Sequence, residues 1–92
     1  MTLEFLAHPL VREVLFHLIW GDRFESDLES MMTSTEMKFE EIRNHLLTEE
    51  LVYQLKGEHG SPYLSLTDKG IAVVNRLYEI ERILEGEDLD VE

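Results

Sequence analysis

Cysteine is absent from the 92 residues. Disulfides are therefore excluded, and so is any zinc site built on thiolates. Proline occurs twice and glycine five times, and no stretch is of low complexity. Long apolar runs are missing too. The longest, Val14 to Trp20, is interrupted by His17 and falls well short of the ~18 residues that span a bilayer. The N-terminus, Met1-Thr2-Leu3-Glu4, carries an acid where a secretory signal would carry Lys or Arg. A soluble, cytoplasmic protein with no membrane partner is the expectation.

Basic residues are scarce. Eight Lys and Arg stand against twenty Asp and Glu, for a net charge of −12. Nucleic-acid binding draws most of its affinity from cations meeting phosphates. An acidic chain that binds nucleic acid must therefore concentrate its few basic groups locally. Catalytic signatures are lacking as well: there is no phosphate-cradling glycine loop, nucleophile elbow or His-Glu-x-x-His. Neither an enzyme nor a cofactor is expected. The histidines offer two Glu–His pairs at helical spacing, Glu13 with His17 and Glu41 with His45. Each pair supplies two ligands where a metal site needs three or four, so no metal is expected.

What is present suits one small domain. A hydrophobic share of 43% is ordinary for a globular chain. A chain of this size buries roughly two thirds of its unfolded surface. The expected organisation is one domain over 1–86 and an acidic tail over 87–92.

Leu3, Phe5 and Leu6 form a short apolar lead-in. His8-Pro9 follows, and proline suits the first position of a helix, where its missing N–H goes unused. Leu10, Val11, Val14, Leu15, Leu18 and Ile19 recur at helical spacing, so a first helix is predicted from about Pro9 to Trp20, ended by Gly21. Asp22, Arg23 and Phe24 make a connector. Ser26 or Asp27 caps a short second helix through Leu28, Met31 and Met32. Thr33 and Glu36 have capping-box spacing, which predicts a third helix from about Ser34 to Glu49 with Phe39, Ile42 and Leu46 inward. Leu51 to Leu55 and Tyr63 to Leu66 read as two strands. The turn between them, Lys56 to Pro62, carries two glycines and a proline. Thr67 caps a last helix, with Asp68 in its first turn and Gly86 at its end. The fold class is mainly α with a small β-hairpin. Three helices, two strands and a closing helix, in that order, are the layout of a winged helix-turn-helix.

Four stretches carry a family resemblance: Asp27-Leu28-Glu29-Ser30-Met31-Met32, Phe39-Glu40-Glu41-Ile42-Arg43-Asn44-His45-Leu46, Glu50-Leu51-Val52, and Tyr63-Leu64-Ser65-Leu66-Thr67-Asp68-Lys69-Gly70. With them the chain resembles the winged-helix transcriptional regulators of the MarR and ArsR type, from about Pro9 to Leu84. The resemblance implies that Leu66-Thr67-Asp68-Lys69-Gly70 marks the end of the wing and the start of the next helix. It also implies docking on double-stranded DNA. The family often has Gly-Leu-Val where the recognition helix turns into the wing. Here Glu50 replaces that glycine, and a left-handed residue there would be strained.

In a helix-turn-helix the second helix of the pair enters the major groove with its N-terminal residues near base edges. Candidate DNA contacts on the third helix are Ser34, Thr35, Lys38, Arg43, Asn44 and His45. Lys38 suits a phosphate and Asn44 an adenine edge, while Arg43 lies nearer the buried side. The same stretch carries Glu36, Glu40, Glu41, Glu49 and Glu50 against two cations, Lys38 and Arg43. That balance also fits a plain solvated face. Lys56, His59 and Lys69 flank the wing, which makes it the better electrostatic candidate.

The last helix has two apolar lines. Val73, Leu77, Ile80 and Leu84 form one; Ile71, Val74 and Tyr78 form the other. One line covers the domain's own core. The other suits a symmetric contact with a second copy, so Val73, Val74, Leu77, Tyr78, Ile80 and Leu84 are candidate homodimer residues. Two functions stay open: a dimeric, sequence-specific DNA-binding regulator, or an acidic winged-helix interaction module that has lost DNA binding and meets a basic protein partner.

Overall fold

In the computed structural model, residues 2–86 are described; the acidic tail expected over 87–92 lies outside the described residues. The chain runs α1 (Thr2–Leu6), α2 (Pro9–Leu18), β1 (Arg23–Phe24), α3 (Glu25–Met31), α4 (Phe39–Thr48), β2 (Val52–Lys56), β3 (Pro62–Leu66) and α5 (Asp68–Leu84). The apolar lead-in is itself a helix, α1, because Leu6 has a core to enter and Phe5 packs beside it.

Pro9 opens α2 as its residue type dictates, and the backbone N–H of Leu10 donates to His8 Nδ1 at 3.1 Å. Leu10, Val11, Val14, Leu15 and Leu18 are buried. The helix ends at Leu18 rather than Trp20, and the Gly21 N–H donates back to the Leu18 carbonyl at 3.1 Å.

The connector after Gly21 is a strand. Arg23 pairs with Leu64 and Phe24 with Tyr63, so the hairpin grows into a three-stranded antiparallel sheet of order β1-β3-β2. Helix α3 begins at Glu25, ahead of the expected caps, and Phe24 precedes it without a side-chain cap bond. Ser26 and Asp27 lie inside the helix, where the Ser26 carbonyl accepts from Ser30 Oγ at 2.9 Å.

The largest departure is α4, which starts at Phe39 rather than Ser34 and ends at Thr48. The hydroxyl and acid expected to cap it build a turn instead. The Thr33 N–H donates to the Glu13 carboxylate at 3.1 Å, and the Glu36 N–H donates to Ser34 Oγ at 3.1 Å. Glu41 supplies the acid of the actual start, accepting from the Lys38 N–H at 3.3 Å. The inward stripe is as expected: Phe39, Ile42 and Leu46 are buried.

The C-terminus of α4 closes with two backbone bonds, Glu50 N–H to the Leu47 carbonyl and Leu51 N–H to the Leu46 carbonyl, both at 3.0 Å. This pairing is a Schellman motif, whose left-handed position is usually glycine. Glu50 occupies it at φ 62°, the one non-glycine with positive φ among the described residues.

Helix α5 is moored at the same spot. Thr67 N–H donates to the Leu51 carbonyl at 3.0 Å, and Thr67 Oγ1 donates to the Glu50 carbonyl at 2.8 Å. That hydroxyl also accepts from the Gly70 N–H at 2.9 Å. A Cβ on Gly70 would collide with the Leu51 carbonyl oxygen. The Leu-Thr-x-x-Gly pattern therefore has a physical cause: threonine caps the helix, and glycine lets it approach the backbone. Leu15, Leu28, Ile42, Leu46, Leu64 and Val74 meet in one core at 0% exposure, so α2, α3, α4, β3 and α5 all converge there.

Candidate nucleic-acid interface

Burial of Phe39, Ile42 and Leu46 turns the opposite side of α4 outward. Lys38, Glu40, Glu41, Asn44 and Thr48 are exposed. Beside this helix the β2–β3 hairpin projects as a wing. Its tip is closed by the Gly57 N–H donating to the Ser61 carbonyl at 2.9 Å and the Gly60 N–H donating to the Gly57 carbonyl at 3.0 Å. Gly60 has φ 80°, a conformation that glycine adopts without steric penalty. Lys56 and His59 are exposed on this wing. Its outer face also presents Phe24, Tyr53 and Leu55 to solvent.

The candidate DNA contacts separate into two groups. Lys38, Lys56 and His59 are exposed and unpaired among the described residues, and Thr35 is exposed. Ser34 and Thr35 lie in the turn before α4, not on the helix, and Ser34 Oγ is engaged by Glu36. The remaining candidates have partners within the domain, although Asn44 and Lys69 stay exposed. Lys69 Nζ donates to the Glu49 carbonyl at 2.9 Å, neutralising the carbonyl end of α4. His45 stacks on Phe5 with ring centroids 3.8 Å apart and 17° between planes, which docks α1 onto α4. Arg43 donates through Nη1 to Glu25 at 2.9 Å and through Nε to Asn44 Oδ1 at 3.1 Å.

Glu25 is the residue that sequence reasoning missed. It is 7% exposed, the buried charged side chain among the described residues. Its second oxygen accepts from Gln54 Nε2 at 2.5 Å. A buried carboxylate is tolerated only when paired and hydrogen-bonded, and here both oxygens are. The group ties the start of α3, the middle of α4 and strand β2 together, fixing α4 against the wing. Its members are far apart in sequence, with 18 and 29 positions separating Glu25 from Arg43 and Gln54. The inward lean expected of Arg43 was the only signal of it.

The candidate dimer residues also divide. Val74 is fully buried and cannot meet a second chain. Tyr78 stacks on Phe16 at 4.4 Å. Val73 and Leu77 are half-buried against the core. Ile80 and Leu84 are left outward at 51% and 80% exposure, joined by Ile83. The two expected lines are thus sorted: Val74 and Tyr78 cover the core, and the Ile80 and Leu84 flank faces solvent.

Among the described residues no three His, Asp or Glu side chains are placed to hold a metal ion. No helix among them is long and apolar enough to cross a membrane.

The architecture is a winged helix-turn-helix: α3 and α4 form the helix pair, and β2–β3 the wing. Solved structures share it. MepR of Staphylococcus aureus, a transcription regulator of the multidrug efflux pump MepA, is similar at a TM-score of 0.77 and 17% identity, over 90% of this chain and 64% of that one. The chain therefore spans a little under two thirds of the length of MepR. The transcriptional repressor BigR of Xylella fastidiosa gives 0.67 and 23% identity, over 85% of this chain and 80% of that one. A protein of Archaeoglobus fulgidus gives 0.73 and 20% identity, over 92% of this chain and 98% of that one. The structural neighbours are winged-helix transcription regulators of the MarR and ArsR type. No protein-family model and no curated protein sequence matches the chain.

Proposed function

We propose that this chain is a transcriptional regulator that docks on double-stranded DNA as a homodimer. Helix α4 enters the major groove and the 56–62 wing lies along the backbone. One observation carries the reading: α4 buries Phe39, Ile42 and Leu46 and leaves its other side free, immediately beside a projecting wing. The fold of the neighbouring regulators supports it. The exposed Ile80 and Leu84 flank of α5 supports a second copy, which would present two recognition helices to a palindromic site.

The electrostatics set the terms of binding. Arg43, His45 and Lys69 are engaged within the domain, so Lys38, Lys56 and His59 are the free groups nearest the docking face. Few phosphate contacts follow, and with them a shallow dependence on salt. Fluorescence anisotropy with a duplex at low salt tests this. Binding by the wild-type chain, weakened in a Lys38→Glu, Lys56→Glu variant, is the expected result. Equal binding of both proteins would remove these lysines as the contacts.

The same engagement of cations favours a second reading. With Arg43 drawn toward Glu25, the outer side of α4 carries Glu40 and Glu41 against Lys38, with the Arg43 guanidinium 3.7 Å from Glu40. An acidic module that meets a basic protein would have this surface. It predicts no duplex binding at any salt and saturable binding of a Lys- and Arg-rich peptide. Loss of that binding in a Glu40→Lys, Glu41→Lys variant would identify α4 as the surface.

A further inference from the structure

The chain has four methionines and no cysteine, and three of the four, Met31, Met32 and Met37, flank the turn between α3 and α4. Met32 and Met37 pack against the hydrophobic core. They also line a groove of about 300 Å³, together with Phe39, Ser34, Thr35 and Lys38. Their side chains are thus half-buried on one side and open to small molecules on the other. Met31 is half-buried but takes no part in the groove.

The segment these two residues hold has few other anchors. Its bonds are Met32 N–H to the Glu29 carbonyl, Thr33 N–H to Glu13, Glu36 N–H to Ser34 Oγ, Lys38 N–H to Glu41, and a His8–Glu36 contact at 3.7 Å. Helix α4 starts at Phe39 with no side-chain cap from Lys38, and its start is held by the exposed Glu41 carboxylate, which accepts from the Lys38 N–H at 3.3 Å. Packing of the two thioethers therefore carries a large share of the local stability.

We infer that Met32 and Met37 form an oxidation site that loosens the turn and the first turn of the recognition helix. The oxidant is a hydroperoxide. Its terminal oxygen transfers to sulfur: the O–O bond breaks, an S–O bond forms, and water or an alcohol leaves. The thioether is oxidised by two electrons and the peroxide is reduced by two. The sulfoxide is polar where the thioether was apolar, and leaving it among core side chains without a donor is unfavourable. Donors line the same groove, on Ser34, Thr35 and Lys38. The modified side chains are drawn from the core toward these donors, and the segment moves with them. Methionine sulfoxide reductases acting on both epimers reverse the change.

The experiment is peroxide treatment of the full chain, followed by peptide mass spectrometry and amide exchange. The expected result is one added oxygen on each of Met32 and Met37. Exchange over residues 39–42 should then run roughly tenfold faster, with protection restored by the reductases. A Met32→Leu, Met37→Leu variant keeps the packing, since Leu and Met are close in volume. It should hold its protection under the same treatment with Met31 still present. Oxidation of both residues with unchanged exchange over 39–42 overturns the inference. So does oxidation confined to Met31, or equal loss of protection in the Leu variant. Weakened duplex binding after oxidation rests on the DNA-docking reading. A chain that loosens on oxidation but binds no duplex in either state would sink that reading and leave this one standing.

Discussion

The Arg43 guanidinium donates to the Glu25 carboxylate at 2.9 Å and so ties α4 to the start of α3. Arg43 is 21% exposed at its side chain and Glu25 is 9%, so water screens the pair only weakly. Glu25→Ala removes the acceptor and leaves a half-buried guanidinium and the Gln54 amide without it. The expected loss is about 2 kcal/mol, the typical penalty for stranding such donors. The urea midpoint of the variant measures it. Adding Arg43→Met to Glu25→Ala should recover part of the loss, because the stranded charge is gone. Equal, additive losses from the two substitutions would show that the pair is uncoupled.

Glu50 precedes Leu51 and Gly70 packs against the Leu51 carbonyl, and their substitutions have opposite expected outcomes. Glu50→Gly relieves a left-handed non-glycine residue at φ 62°. Such a conformation costs an L-residue about 1–2 kcal/mol, partly offset by the greater chain freedom of glycine when unfolded. A net gain of roughly 0.5–1 kcal/mol follows, seen as a higher thermal midpoint. Gly70→Ala places a methyl against the Leu51 carbonyl and should lower the midpoint more than alanine at any exposed position of α5. A loss for Glu50→Gly would mean that its carboxylate makes an interaction worth more than the strain.

Periodicity made the apolar stripes of α2 and α4 legible, because the core of a small domain selects residues at helical spacing. Thr67 and Gly70 were legible for a local reason, capping and close approach within four residues. Three features were hidden. The start of α4 was misplaced because Thr33, Ser34 and Glu36 can satisfy a turn as well as a helix. Strand β1 holds two residues, too few for any alternation, and forms because β3 offers it backbone partners. The Glu25 group is assembled by tertiary packing from three separated segments. The same packing bears on the candidate site: the sequence offered Arg43, His45 and Lys69 as DNA contacts, and each has a partner within the domain.

That division predicts unequal effects of charge changes on duplex binding. Lys38→Glu with Lys56→Glu removes two exposed cations and should weaken binding roughly tenfold or more at low salt. The slope of log affinity against log salt should become shallower by about 0.9 for each phosphate that is no longer neutralised. Arg43→Met should leave that slope unchanged while lowering the unfolding midpoint, since its partner is Glu25. A salt slope that falls with Arg43→Met would place its guanidinium on phosphate and contradict the internal assignment. Anisotropy titrations at several salt concentrations separate these outcomes.

The α5 flank predicts a separation between assembly and folding. Ile80 and Leu84 are 51% and 80% exposed in the single chain, while Val74 is 0%. Charged groups at the first two positions meet water in the monomer and are stranded only in a dimer that covers them. Ile80→Glu with Leu84→Glu should therefore keep the helical circular dichroism of the chain and shift sedimentation from dimer to monomer. Val74→Ala should instead lower stability by about 2 kcal/mol through an internal cavity and leave the outer surface of α5 intact. Losing the second copy also halves the number of recognition helices on one site, so duplex affinity should fall in the Ile80→Glu, Leu84→Glu variant even though α4 and the wing are untouched. A wild-type chain that sediments as a monomer at micromolar concentration, or a double variant that still pairs, would move the dimer surface away from this flank.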